Sequence, residues 1–311
     1  METTQNKVKN ILPDFLIVGA AKSGTTSLVK YLDEHPNIYT YPFKEPKYLS
    51  YKVLENGYQG PGDFSTEKHI IKTLKDYYKI FENAKKDQRV CEASVDTLYY
   101  YKTTIPQIKE LMGDPEIIIM LRNPVKRAIS AYSHLIREER ENLPFREALN
   151  KEKERIDLGY EFIWAYKDAG RYYESVKAFK NAFSNVKVVI FEDFVKDRHK
   201  VVYDVLDFLK IKEKHDFKDS QHNKSGVPKN VILNKFLINK NPIKSMIKKL
   251  IGRKNGKLIR NYIQKINLKQ IDVPNEDKDY LHDYFLEDIN KLEALLQKDL
   301  TLWKKNRTNE R

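Results

Sequence analysis

The chain has 311 residues, 41% apolar and 32% charged, which supplies material for a sizeable core and argues against wholesale disorder. Lys and Arg number 57 against 44 Asp and Glu, a formal charge of +13, and the surplus is concentrated: Ser220 to Ile271 holds thirteen basic residues and no acid. Cys91 stands alone, which excludes an intrachain disulfide and a thiolate metal cluster, and the longest apolar runs are far too short to span a bilayer.

Met1–Val8 is polar, with none of the apolar stretch a secretory signal needs, so the expected location is cytoplasmic. Phe15–Val18 is the first predicted strand, and Thr25–Glu34 the helix that follows it. Ile38–Tyr41 and Arg89–Glu92 read as two more short strands, rich in residues that suit a pleated, buried surface. Ile117–Leu121 is apolar without alternation, as expected of a central parallel strand covered on both faces. Pro124–Glu139 and Ala169–Ala182 carry helical patterns, and Lys187–Phe191 is the fifth strand. From Val227 to Gln270 the pattern is mostly helical and basic, with breaks at Pro242 and near Gly252 and Gly256. A long final helix runs from about Glu276 to Leu300, where Leu281, Phe285, Ile289 and Leu292 recur at helical spacing. Strands alternating with helices predict an α/β fold of P-loop type: a central parallel sheet of about five strands flanked by helices, then a largely helical basic C-terminal region. No repeat or linker divides the chain, so one domain is expected over residues 9–303, with polar tails at 1–8 and 304–311.

The strongest local signal runs from Phe15 to Ser27. A strand enters a turn containing Gly19 and Gly24, and a helix opens behind it. The glycines let successive N–H groups curl around an anion, Thr25, Thr26 and Ser27 add hydroxyl donors, and the helix start adds a positive dipole end. A nucleoside-triphosphate loop would place Lys directly after Gly24; here the residue is Thr25 and the lysine sits earlier, at Lys22. The plainer alternative is a glycine-rich turn with a solvated lysine.

Arg122, at the end of the fourth strand, begins a second anion motif at the sheet edge where open α/β folds bind ligands. Asn123 suits the cap of the next helix and Pro124 its first turn, and Ser130 falls about two turns in. An arginine fork with a hydroxyl donor suits a terminal phosphate; the alternative is a structural ion pair and a tolerated helical serine. Two anion sites in one crevice imply a ligand phosphorylated at two places, such as an adenosine nucleotide with an extra 3′-phosphate.

With these segments in place, the sequence resembles the sulfotransferase superfamily that uses 3′-phosphoadenosine 5′-phosphosulfate (PAPS), and most of all the glycan (heparan sulfate type) branch and its bacterial relatives. Phe15–Ser27 is similar to the family's 5′-phosphosulfate loop and Arg122–Ser130 to its 3′-phosphate motif. Pro42–Tyr48 resembles the segment of the general base, Glu92-Ala93-Ser94 with Tyr99 a patch near the acceptor, and Asn223-Lys224-Ser225-Gly226 the late nucleotide-closing segment. Gly170-Arg171-Tyr172 and Phe191–Phe194 also occupy their expected places. The resemblance implies an O-sulfotransferase that releases 3′-phosphoadenosine 5′-phosphate (PAP) by in-line displacement. In it, Lys22 meets charge on the leaving oxygen, Arg122 and Ser130 hold the 3′-phosphate, and Glu45 takes the acceptor proton. It further implies nucleotide contacts from Ser23 to Ser27 and from Lys224, Ser225 and Gly226. Acceptor contacts fall to Lys47, Glu92, Ser94, Tyr99, Arg171 and Tyr172. Lys47 departs from the branch's frequent His, and Ala93 from its frequent Lys; both bear on the acceptor, for which a glycan or glycolipid hydroxyl is expected.

No metal is required by this scheme, and the seven histidines show no metal-ligand spacing. His134, one turn after Ser130, reads equally as a nucleotide neighbour or a helix-surface residue. Tyr99, Tyr100 and Tyr101 suit an acceptor cleft or a packed junction, while Trp164 and Trp303 read as core. The basic stretch 243–260 alternates lysines with Ile243, Met246, Ile247 and Leu250, as a helix packed on the sheet would, or one touching an acidic glycan or the inner membrane surface. The charge is unaccompanied by any nucleic-acid-binding signature. The rival readings are an ATP-using P-loop kinase and a non-enzymatic nucleotide- or polyanion-binding module.

Overall fold

The computed structural model describes residues 10–304 except 44, 55–56, 68, 214, 219–225, 239–258, 260–261 and 264–265. Lys224, Ser225 and the basic stretch 243–260, apart from residue 259, therefore lie outside the described residues. In chain order the elements are β1 (Phe15–Gly19), α1 (Thr25–Asp33), β2 (Ile38–Thr40), α2 (Phe64–Glu67), α3 (Leu74–Lys79), β3 (Arg89–Glu92), α4 (Tyr101–Met112) and β4 (Glu116–Leu121). Then follow α5 (Pro124–Arg137), α6 (Phe145–Asn150), α7 (Glu152–Asp157), α8 (Tyr173–Ala182), β5 (Val186–Ile190), α9 (Phe191–Lys196), α10 (Arg198–Phe208), β6 (Val227–Pro228), α11 (Val231–Ile238), β7 (Leu268–Lys269), α12 (Asn275–Leu296) and α13 (Thr301–Lys304).

The five-stranded sheet has the order β2-β3-β1-β4-β5 and every pairing in it is parallel, the predicted P-loop-type α/β architecture. Alternating side chains of the central strands enter two different layers. Leu16, Ile117, Ile119 and Leu121 pack with α5, α8 and α12, while Phe15, Ile17, Ile118 and Met120 pack with α1 and α10. Full burial of Ile117–Leu121 explains the absence of polar alternation in β4. Because β1 sits between β3 and β4, the segments leaving the C-terminal ends of these three strands meet at one edge.

Several boundaries differ from the pattern in sequence, each for a local reason. Phe191 leaves the sheet and opens α9, whose first turn holds Glu192 and Asp193, acids that suit a helix start. The helix expected from Ala169 begins instead at Tyr173 after a short 3₁₀ turn. There the Asp288 carboxylate of α12 accepts from the N–H groups of Tyr172 (2.8 Å) and Tyr173 (3.3 Å) and caps the helix from outside it. The final helix stops at Leu296 because Gln297 turns left-handed (φ 50°), and Trp303 on α13 is buried, as is Trp164. Within the basic region β6 pairs antiparallel with β7, a strand pair that a helical reading of the region did not contain.

Candidate active site

The turn between β1 and α1 is shaped by its neighbours. Gly24 has φ 92°, and a Cβ there would lie 2.6 Å from the Phe191 ring, so the residue must be glycine on both counts. Its carbonyl accepts from the N–H of Ser27 (2.8 Å) and Leu28 (3.2 Å), which opens α1 directly behind the turn. Ser23 and Thr25 are buried, and Thr26 and Ser27 lie partly exposed at the start of α1. Lys22 is itself left-handed (φ 67°).

Arg122 leaves the end of β4 and faces this turn: its Nη1 donates to the Lys22 carbonyl at 3.1 Å. Its guanidinium stacks 4.7 Å from the centre of the Phe191 ring, and its own carbonyl accepts from the Tyr172 hydroxyl at 3.0 Å. Asn123 Oδ1 accepts from the Lys126 N–H at 3.1 Å and caps α5. The Asn123 N–H donates to Glu192 Oε1 (3.3 Å), while Trp303 Nε1 donates to the other oxygen of that carboxylate (3.3 Å). Ser130 is buried two turns along α5. The two predicted anion motifs thus share one crevice.

The crevice is positive, and its charges strain against one another. Withdrawal from water, followed by the cations Arg137 and Arg122, lowers Lys22 to about 7, although Glu45 and Glu138 act in the opposite direction. Burial, then Lys22, Arg137 and Arg140, lowers His134 to about 2, so its imidazole is neutral at physiological pH. Its Nδ1 lies 2.8 Å from Arg137 Nη2 and must accept from it, because arginine has only donors. Burial also lowers Arg122, and its Nε is buried with no hydrogen-bond partner. Mutually repelling cations and an orphaned donor are what a phosphorylated, sulfated nucleotide would satisfy, so the residues present fit PAPS.

Glu45 lies on a clamped loop. It has φ 53° and Lys47 has φ 54°, two left-handed residues around Pro46. The N–H of Glu45 donates to the Ala93 carbonyl (3.1 Å), that of Lys47 to Ser94 Oγ (3.1 Å), and Ser94 in turn donates to Glu92. Lys47 is buried rather than open to a ligand, with Nζ 3.2 Å from Glu161 Oε1. Arg140 bridges Glu161 Oε2 (2.8 Å) and Asp63. Lys47, Glu92 and Ser94 therefore sit inside the protein behind Glu45. Tyr99, Arg171 and Tyr172 instead line a 290 Å³ cleft beside Ala20 and Ala21, with the Tyr99 hydroxyl donating to Asp168 (2.8 Å). Tyr101 lines it too, while Gly226 approaches β7 so closely that a Cβ would meet the Lys269 carbonyl at 2.5 Å. Arg137 and Glu161 escaped the sequence reading. Arg137 had a signal, seven residues beyond Ser130 on one helix; Glu161 had none.

Residues 13–216, more than half of the chain, match the model of the sulfotransferase family. A solved sulfotransferase from Alicyclobacillus acidocaldarius is 34% identical, with 95% of this chain and 100% of that one covered at a TM-score of 0.74. The chain is also 33% identical over 123 residues to the membrane-associated sulfotransferase kil1 of Dictyostelium discoideum, which covers 39% of this chain and 22% of that protein. It is 27% identical over 135 residues to the bifunctional heparan sulfate N-deacetylase/N-sulfotransferase 1 of Caenorhabditis elegans, covering 43% of this chain and 14% of that protein. The alignments thus span less than a quarter of either curated relative. Together with the parallel sheet and its paired anion motifs, these likenesses establish that the chain belongs to the sulfotransferase family, the enzymes that draw a sulfuryl group from PAPS.

Proposed function

We propose that this enzyme transfers the sulfuryl group of PAPS to a hydroxyl of a carbohydrate, on a glycan or glycolipid, with Glu45 as general base. The observation that carries the reading is that Arg122 Nη1 donates to the Lys22 carbonyl at 3.1 Å, in the crevice where Glu45 favours the Lys22 ammonium. A base for the incoming hydroxyl and a cation for the departing oxygen thus belong to one crevice. Bound PAPS supplies a sulfuryl group on a phosphate leaving group. Arg122 and Ser130 hold the 3′-phosphate, the turn around Gly24 cradles the 5′ end with backbone N–H groups, and Lys22 places its ammonium where negative charge grows on departure. A charge that meets its partner chiefly in the transition state lowers the barrier and does not merely tighten binding. The Glu45 carboxylate accepts the hydroxyl proton as the oxygen–sulfur bond forms.

The carbohydrate assignment is supported by the likeness to the heparan sulfate enzyme and by the cleft beside the turn, which offers aromatic faces of Tyr99 and Phe162 with the charged groups of Arg171 and Asp168. Incubation with labelled PAPS and a panel of glycans, lipid-linked sugars and small aryl and alkyl alcohols, with products located by mass spectrometry, tests it. Transfer to a sugar hydroxyl is the expected result. Label found solely on the small alcohols would overturn the carbohydrate reading while leaving the donor chemistry intact.

A further inference from the structure

Arg127, Ser130, His134 and Arg137 follow one another along α5 at spacings of three, four and three, so their side chains form one stripe on one face. At the inner end Arg127 is fully buried and donates to the carbonyls of Ala165 and Tyr166, a structural role. The outer end is built differently. The Arg137 carbonyl accepts from Asn234 Nδ2 at 3.0 Å, which ties that end of α5 to α11. The Arg137 side chain is mostly buried, yet the group 2.8 Å from its Nη2 is a neutral imidazole instead of a carboxylate. An imidazole fixes a guanidinium in place without cancelling its charge. Glu138 stands 3.6 Å from Arg137 Nε but is 42% exposed, so solvent screens much of that pair. The charge left over falls within electrostatic reach of Lys22.

Resting on the PAPS reading above, we infer that Arg137 is a further donor-binding residue. His134 holds its guanidinium toward the 5′-phosphosulfate end of PAPS, where it shares that end's negative charge with Lys22. Arg122 and Ser130 serve the other end of the nucleotide, so the stripe on α5 and the turn after β1 together grip both. A consequence distinguishes this role from simple packing. In the free protein burial, then repulsion from Arg137 and Arg122, lowers Lys22 to about 7, while Glu45 and Glu138 favour its ammonium. At pH 8 most Lys22 is therefore neutral, and an anion settling between it and Arg137 draws a proton onto Lys22 from the buffer.

Calorimetric titration of the full chain with PAP at pH 8, in two buffers of different ionisation enthalpy, reads affinity and proton count together. The wild type is expected to take up about 0.9 proton on binding, the fraction of a group titrating near 7 that is neutral at that pH. R137Q is expected to bind PAP on the order of tenfold more weakly, the loss of one charge-assisted contact. Its proton uptake should also fall, because Lys22 has lost its foremost repelling neighbour. Adenosine 5′-phosphate should show the same penalty, and adenosine 3′-phosphate should bind both proteins alike. R137K, which keeps the charge, should retain the uptake. A folded R137Q with unchanged PAP affinity and proton count overturns the inference, and so does an equal loss for the 3′-phosphate. If R137Q lacks the wild-type circular dichroism spectrum, the wild-type count decides: no uptake between pH 7 and 9 rejects the coupling. Failure of the wild type to bind PAP at all would instead reject the donor assignment itself.

Discussion

Lys47→Met removes one charge from a buried cluster while preserving most of the side chain's length. Lys47 and Glu161 are 4% and 5% exposed and lie 3.2 Å apart. Removing one member of such a pair costs about 3–5 kcal/mol, since the other is left charged and dry. Glu161 keeps Arg140 at 2.8 Å through its second oxygen, which reduces the expected loss to about 2–3 kcal/mol. With a denaturant slope of about 3 kcal/mol per molar, the urea midpoint should fall by roughly 0.7–1 M. The pH dependence has a definite sign. Burial opposes the Lys47 ammonium, but Asp96, Glu161 and Glu45 outweigh it and raise its pKa above the ordinary value. The stability it adds is therefore complete below that value and lost only as pH climbs through the raised one. Asp96 is raised by burial, with Lys47 opposing, so its folded form favours the proton and its contribution falls as pH rises through that raised value. Without Lys47 the Asp96 carboxylate loses its counter-charge, and the penalty should grow as pH rises through the raised Asp96 value. Urea titrations followed by circular dichroism measure all of this, and the double variant K47M/E161Q should recover at least half of the loss. A midpoint shift below about 0.3 M, or a penalty independent of pH, would refute the reasoning.

Other substitutions probe the crevice itself. Glu45→Gln should lower transfer by about 10²–10⁴-fold with PAP binding retained, read by product formation beside calorimetry. Arg122→Ala should weaken PAP by on the order of 10- to 100-fold and adenosine 5′-phosphate far less, which competition titrations compare directly. Gly24→Ala places a Cβ 2.6 Å from the Phe191 ring at φ 92°, and should cost about 2–4 kcal/mol of unfolding free energy as well as PAP affinity.

What could be read from sequence divides along physical lines. β4 was legible because an unbroken apolar run has one comfortable place, the middle of a parallel sheet. The turn around Gly24 was legible because glycine placement reports backbone geometry directly. The start of α8 was not, since it depends on a carboxylate, Asp288, that lies 116 residues beyond Tyr172 in sequence. Lys47 shows the same limit: its neighbour Glu45 suggests a ligand-facing lysine, whereas its partner Glu161, 114 residues away, holds it inside. Arg137 fell between these cases. Helical spacing put it on the Ser130 face, but its electrical importance depends on His134 being neutral, which only the folded surroundings determine.

Phe191 bears on how tightly a nucleotide can be held. One ring presses on Gly24 and also underlies the Arg122 guanidinium, so a single rigid spacer sets the gauge between both halves of the grip. Neither half can drift without moving the other, and the entropy of aligning them is spent during folding, before any ligand arrives. A smaller side chain there would leave every charged group in place yet loosen the fit, and the loss would grow with the number of phosphates a ligand carries.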